Sequence, residues 1–226
     1  LKHPTCDLDF ELFWADLDAG ALEPVPDWLV DRQARSRQTR QTILSASHAL
    51  IANRRWAGVT IPEISELAGV SVGAVYARFP SKEAVLTVLG WIVLSEASLR
   101  FASALDTTPV EDGGVAVVQA YVGVLVTEMI RHRRVLTELR ESAPAVPEIR
   151  ELLDRTNRTI HTAFIDRALH AVAPDRAHDL RFGLFMANAN AREAILTGSL
   201  ATYALDLDAG DLSREISRAF VAYLGA

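Results

Sequence analysis

Apolar residues recur at the spacing of a helix along nearly the whole chain, and no β-branched run alternates with period two between hairpin turn signals. A chain patterned this way can bury its apolar stripes only by packing helix on helix, so the expected fold class is all-α. Breaks fall near Pro24 to Trp28, Ala57 to Gly58, Gly69, Pro80, Asp106 to Gly114, Pro144 to Pro147, Pro174, and Asp206 to Gly210. They leave about nine helices after an irregular acidic leader. Pro147 and Pro174 each stand just before acids and a long amphipathic run, as in a helix's first turn. No fixed-period repeat or low-complexity tract is visible. With 226 residues, half of them apolar, the chain has material for one large core or two smaller ones.

The net charge of −6 argues against a nucleic-acid partner until its distribution is read. Residues 1–31 carry one base and eight acids, and residues 83–226 carry 14 bases and 19 acids. Between them, residues 32–82 carry eight bases against two acids, so an acidic chain has one basic segment. The expected organisation is an acidic N-terminal extension (1–31), a DNA-binding domain (32–90) and a larger helical domain (91–226).

Other classes find little support. There is no GxSxG, no H-E-x-x-H, no phosphate loop and no Cys/His metal spacing, so no enzyme, cofactor or metal site is expected. The single Cys6 cannot form an internal disulfide and fits a reducing cytoplasm. Apolar runs such as Ala84 to Leu94 and Val115 to Val126 fall short of the roughly 20 residues that cross a bilayer. The opening LKHPTCDLDFELFW lacks the basic start and unbroken apolar run of a secretory signal, and Leu1 leaves open a start further upstream.

Thr60 to Val85 carries the start and stop signals of three short helices. Thr60 and Glu63 form a T-x-x-E capping box, Pro62 suits the first turn, and Ile64, Leu67 and Ala68 share an apolar face. Gly69 permits positive φ, Val70 packs inward, and Ser71 caps a second helix beginning at Val72. Val75 and Phe79 mark its buried face, leaving Val72, Gly73, Ala74, Tyr76 and Arg78 to point elsewhere. Gly69 and Gly73 are expected to serve the turn and close helix packing. Pro80 stops the second helix, and Ser81 caps a third whose first turn bears Lys82 beside free N–H groups, where a phosphate could sit. Ahead of these lie Arg32, Arg35, Arg37 and Arg40, readable as an arm toward the DNA backbone or minor groove, or as an ordinary basic linker.

Ile43-Leu44, Ala46, Ala49-Leu50, Thr60-Ile61, Ile64, Ala68-Gly69-Val70-Ser71, Gly73, Tyr76, Phe79 and Ser81-Lys82-Glu83 resemble the signature of the TetR (tetracycline-repressor) family. The match spans roughly residues 38–90. It implies a three-helix DNA-binding domain whose helix from Val72 to Arg78 enters the major groove, with Tyr76 and Lys82 on phosphates. The DNA-contact set is then Arg37, Thr60, Ser71, Val72, Gly73, Ala74, Tyr76, Arg78 and Lys82. Ala74 stands where a Thr is common and Arg78 where a His is common, exchanging a hydroxyl for a guanidinium able to meet guanine or phosphate.

The resemblance further implies an effector-binding and dimerisation domain after residue 90. Stripes such as Val115, Val118, Val122, Leu125, Met129 and Ile149, Leu152, Thr156, Ile160, Ala163 read as ordinary core. The candidate ligand contacts are Trp91, Phe101, Tyr121, Phe164 and Phe185, with the polar pairs Asn157/His161 and Asn188/Arg192, each four apart. Small residues Gly183, Ala187, Ala191, Ala194 and Gly198, and Leu212, Ile216, Phe220 and Tyr223 of the last helix, are read as a four-helix homodimer interface, or as packing within one chain. The expected partners are a near-palindromic double-stranded operator, a second copy of the chain and an unidentified small-molecule effector, with no membrane. The expected activity is that of a ligand-released repressor. The alternative is an interaction protein of the same fold that lost DNA binding or is held off DNA by its leader, a segment open to docking on the effector domain, covering the basic end or staying disordered, with Phe10, Phe13, Trp14 and Trp28 favouring docking.

Overall fold

The structure, a computed structural model, describes residues 8–19, 29, 34–110, 114–172 and 174–225. These residues form ten α-helices: α1 (Phe10–Asp18), α2 (Ala34–Asn53), α3 (Ile61–Ala68), α4 (Val72–Tyr76), α5 (Lys82–Thr107), α6 (Val115–Arg131), α7 (Arg133–Ser142), α8 (Pro147–Ala168), α9 (Ala177–Arg192) and α10 (Ala209–Leu224). Among the described residues there is no strand. The break expected near Pro24 to Trp28, and Trp28 itself, lie outside the described residues.

Two helix boundaries depart from the punctuation of the sequence. The leader is not irregular throughout: Asp9 caps α1 by accepting from the Leu12 N–H at 2.9 Å. The break between α6 and α7 at His132 has no proline or glycine to announce it. There the C-cap His132 sits at φ −104°, ψ 15°. Glu128, buried one turn earlier, accepts from Arg100 Nη1 at 2.7 Å. Burial pushes its carboxyl up, but His132, Arg100 and Arg131 outweigh that and hold it below its ordinary value.

The described residues gather into two compact units that do not follow a single cut in the chain. One is drawn from Asp7–Glu96 and Arg134–Leu152, the other from Ala97–Arg133 and Leu153–Ala226. In the first, Ile43, Leu44, Ile51, Ile64, Val75, Phe79, Leu86, Leu89, Leu139 and Ile149 are fully buried. Gly90 is required there by a close approach, since a Cβ would stand 2.7 Å from Leu139 Cδ2. In the second, α6, α9 and α10 enclose Val117, Val118, Tyr121, Val122, Phe164, Leu180, Ala187, Ala191 and Phe220. α5 is long and apolar enough to cross a membrane, beyond what its separate apolar runs suggested, and its most apolar stretch is mostly buried in protein, as in a core helix.

Candidate nucleic-acid interface

The segment from Thr60 to Phe79 folds by the local rules its sequence announces. Thr60 Oγ1 accepts from the Glu63 N–H, and Glu63 Oε2 accepts from the Thr60 N–H at 2.9 Å, which closes the capping box at the head of α3. The Thr60 hydroxyl, donating to Glu63 Oε2 at 2.6 Å, together with Arg54 and the Thr60 N–H on the same carboxylate, lowers the Glu63 pKa to about 2. Gly69 takes φ +65° and ends α3, with the Val70 N–H donating back to the Ser65 carbonyl at 3.0 Å. Ser71 Oγ then accepts from the Ala74 N–H at 3.1 Å and starts α4. Two helices joined by a tight turn are thereby fixed by bonds spanning five residues or fewer.

Burial divides α4 as expected. Val75 and Phe79 are wholly buried, whereas Val72 and Tyr76 are 39% and 54% exposed on the outward side. A large exposed tyrosine on a helix so short is available to a partner, and its hydroxyl can donate to a phosphate. Leu67 of α3, read as part of an inward face, is instead 55% exposed. Gly73 was expected to allow close helix packing, but a Cβ there would meet nothing nearer than Ser71 Oγ at 3.9 Å. The glycine keeps the outward surface of α4 low, where a nucleic-acid backbone could approach. Ala74 is half-buried, and Arg78 folds back so that Nη1 donates to the Ala74 carbonyl at 3.1 Å.

Two cations expected at phosphates are engaged elsewhere. Lys82 Nζ donates to the carbonyls of Trp56 at 3.0 Å and Val59 at 2.9 Å, and lies 5.4 Å from the Trp56 ring centre. A cation at a helix start opposes the dipole, and these carbonyl oxygens supply the compensating negative charge that the sequence reading assigned to phosphate. Arg37 is inside α2 and forms a two-pronged ion pair with Asp18 of α1, with Nη1 to Oδ2 at 2.8 Å. Arg40 is buried and donates to the Leu29 carbonyl at 3.4 Å. Both arginines stand inside α2, which begins at Ala34, and not on a flexible arm, and their side chains turn onto the leader. Arg32 and the Arg35 side chain lie outside the described residues. α1 itself belongs to this unit, so the leader helix packs within it.

Sequence reasoning also missed a residue far along the chain. Buried Glu138 of α7 accepts from the Trp56 N–H at 3.1 Å and from Arg55 Nε at 2.7 Å. It thus anchors the turn whose carbonyls hold Lys82. No local pattern marks this carboxylate, because its partners stand 82 residues away.

The candidate effector residues separate. Trp91 lies in the unit that contains α3 and α4, buried. Phe101, Tyr121 and Phe164 meet in the other unit, with ring centres 5.0 and 4.7 Å apart. Asn188 Nδ2 donates to the Tyr121 hydroxyl at 2.8 Å and to the Leu184 carbonyl at 2.8 Å. Burial lowers the His161 pKa against a hydrogen bond with Asn188, and burial raises that of Tyr121. His161, Asn188 and Tyr121 therefore form one neutral polar cluster. Asn157 and Phe185 are exposed, which removes both from the interior, and Arg192 is half-buried.

The surface read as an intersubunit face lies largely inside the chain. Gly183, Ala187 and Ala191 pack against Leu212, Ile216 and Phe220 within the core of α6, α9 and α10. A Cβ on Gly183 would stand 2.0 Å from Phe220 Cε2. Ala194 packs partly buried on the same core, and Gly198, at φ +72°, ends the π-helical turn Glu193–Thr197 that follows α9. Tyr223 remains outside, 5.5 Å from Phe182, which is 6.0 Å from Phe185, and all three rings are exposed. Among the described residues no group of three or more His, Cys, Asp or Glu could hold a metal ion.

Residues 43–89 match the family model for bacterial regulatory proteins of the tetR family. The fold is similar to a TetR-family transcriptional regulator of Mesorhizobium loti (TM-score 0.67, 17% identity, 85% of this chain and 98% of that one). It is also similar to one from Rhodococcus sp. (TM-score 0.62, 19% identity, 83% and 99%). A transcriptional regulator of Saccharomonospora viridis in complex with choline is a third (TM-score 0.63, 18% identity, 83% and 96%). No curated protein sequence matches. The chain thus has the fold of TetR-family transcriptional regulators, with the tetR-type helix-turn-helix in α3 and α4.

Proposed function

We propose that this chain is a homodimeric repressor that binds a near-palindromic operator through α4 and is released by a small molecule. The observation that carries the reading is the pairing of α3 and α4 through a Gly69 turn, with Val72, Gly73 and Tyr76 outward and Val75 and Phe79 anchored beneath. A helix presented this way fits the major groove, and two copies fit successive half-sites. Tyr76 and the N-terminal residues Ser71 to Ala74 face the DNA. Arg78 reaches it after leaving the Ala74 carbonyl.

Dimerisation uses the outer face of α9 and α10. Three exposed aromatic rings at Phe182, Phe185 and Tyr223 form an apolar patch of the kind an isologous contact covers. The effector is read by the cluster of His161, Asn188 and Tyr121, and its binding favours a state in which the two α4 helices are wrongly spaced for successive grooves.

A duplex selected from a random pool tests the DNA reading. Tyr76→Phe and Arg78→Ala are each expected to weaken binding about tenfold at physiological salt, the size of one hydrogen bond to a charged group. Unchanged affinity in both variants would sink the assignment. Spin labels on the two α4 helices, read with and without effector, test the release step, and identical spacing with lost binding counts against it.

A further inference from the structure

The leader helix α1 places an acid on a base that the DNA reading had placed at the backbone. It is no loose acidic tail. Phe10, Phe13 and Trp14 are buried, the Phe13 and Trp14 rings meet at 4.9 Å, and the Asp9 N–H donates to Glu96 Oε1 at 2.8 Å. Anchored so, α1 brings Asp18 at its last turn to both terminal nitrogens of Arg37, whose guanidinium lies 5.6 Å from the Trp14 ring centre. The Arg37 side chain is only 23% exposed as a result.

A carboxylate that accepts from both prongs of a guanidinium occupies the position a phosphate would take, since both anions offer two oxygens at matching spacing. Because α1 is tethered to the same chain, the carboxylate competes at a high effective concentration. We propose that α1 is an intramolecular competitor of DNA: Asp18 holds Arg37 in place of a backbone phosphate, and the phosphate contact forms only when that pair opens. The leader then subtracts from the sequence-independent part of DNA affinity. This inference rests on the DNA-binding reading and adds to it a brake built from the chain itself.

The test compares the full chain with Asp18→Asn, binding a random-sequence 30-base-pair duplex between about 50 and 200 mM salt, read by fluorescence anisotropy. Asn keeps the shape of Asp18 and removes its charge, and hydrogen exchange of the α1 amides reports whether α1 stays docked. Binding is expected to tighten about threefold to tenfold at the lowest salt, the range of a partly exposed ion pair. The slope of log affinity against log salt should steepen by about 0.9 for each Arg37 that reaches a phosphate. Adding Arg37→Gln to Asp18→Asn should return affinity and slope to those of the parent chain. Equal or weaker binding by Asp18→Asn overturns the proposal. So does a gain that survives Arg37→Gln, because the double variant has the parent's net charge and no Arg37 guanidinium, so the gain would not run through Arg37. No binding by the parent chain or any variant defeats the DNA-binding reading together with this one, whereas equal binding by parent and Asp18→Asn defeats the leader brake and leaves the DNA reading standing.

Discussion

The α3–α4 segment and the α9–α10 pair are both built from short-range helical patterns, yet they are fixed in different ways. In α3–α4 the decisive bonds run from Thr60 to Glu63, from Ser65 to Val70 and from Ser71 to Ala74, so each partner is written within five residues of the other. In α9–α10 the decisive contact is a ring on a glycine, Phe220 on Gly183, and nothing near either residue names the other. Caps and turns announce themselves in a sequence, whereas an apolar face announces only that it will be covered. The same stripe of small residues serves an intersubunit seam and an intrachain one equally well.

This contrast can be broken at four places, taken from the largest expected effect. Phe220→Ala removes a ring from the second core and should cost about 3–5 kcal/mol in urea unfolding. If it instead alters only self-association of the chain and leaves unfolding of the single chain unchanged, the α9–α10 seam belongs between chains after all. Gly183→Ala drives a methyl into the same ring and should cost about 1–3 kcal/mol. In the other region, Ser71→Ala deletes the α4 cap for about 1 kcal/mol, and hydrogen exchange should show the loss in α4 amides, with the α9–α10 core unaffected.

The fourth is pH, measured as unfolding free energy against Glu63→Gln and His161→Gln references. His161 is held below its ordinary 6.5, so the unfolded chain binds more protons there. The stability His161 contributes should fall as pH drops below 6.5 through its lowered folded value. Glu63 is lowered from 4.5 to about 2, so its contribution is intact above 4.5 and should disappear as pH falls toward 2. An acid titration in which the Glu63 difference vanishes first would reverse the assignment of the two windows.

What could be read in advance follows the same division. The all-helical class, the capping box, the Gly69 turn, the Ser71 cap and the buried Val75 and Phe79 were legible because periodicity and capping act over a turn or two. The partners of Arg37 and Lys82 were not, standing 19 and 26 residues away, and both cations therefore looked available to phosphate. The leader's aromatics announced that it would dock, but an apolar residue does not specify its partner, so the sequence left the choice of surface between the effector domain and the basic end open. Tyr121, Asn188 and His161 were named separately, and only packing of α6, α8 and α9 shows that they form one cluster.

The anchoring of the Trp56 turn by Glu138 bears on how a chain of this fold could be rebuilt. Exchanging helix-turn-helix ends between chains of this fold by a single splice near residue 90 would leave behind the carboxylate that receives the Trp56 N–H and the leucines that cover Gly90. A working chimera needs a second graft, residues 134–152, from the same donor. Heredity faces the same constraint, for recombination within one gene would have to carry two separated stretches together to change the helix-turn-helix end and keep the fold.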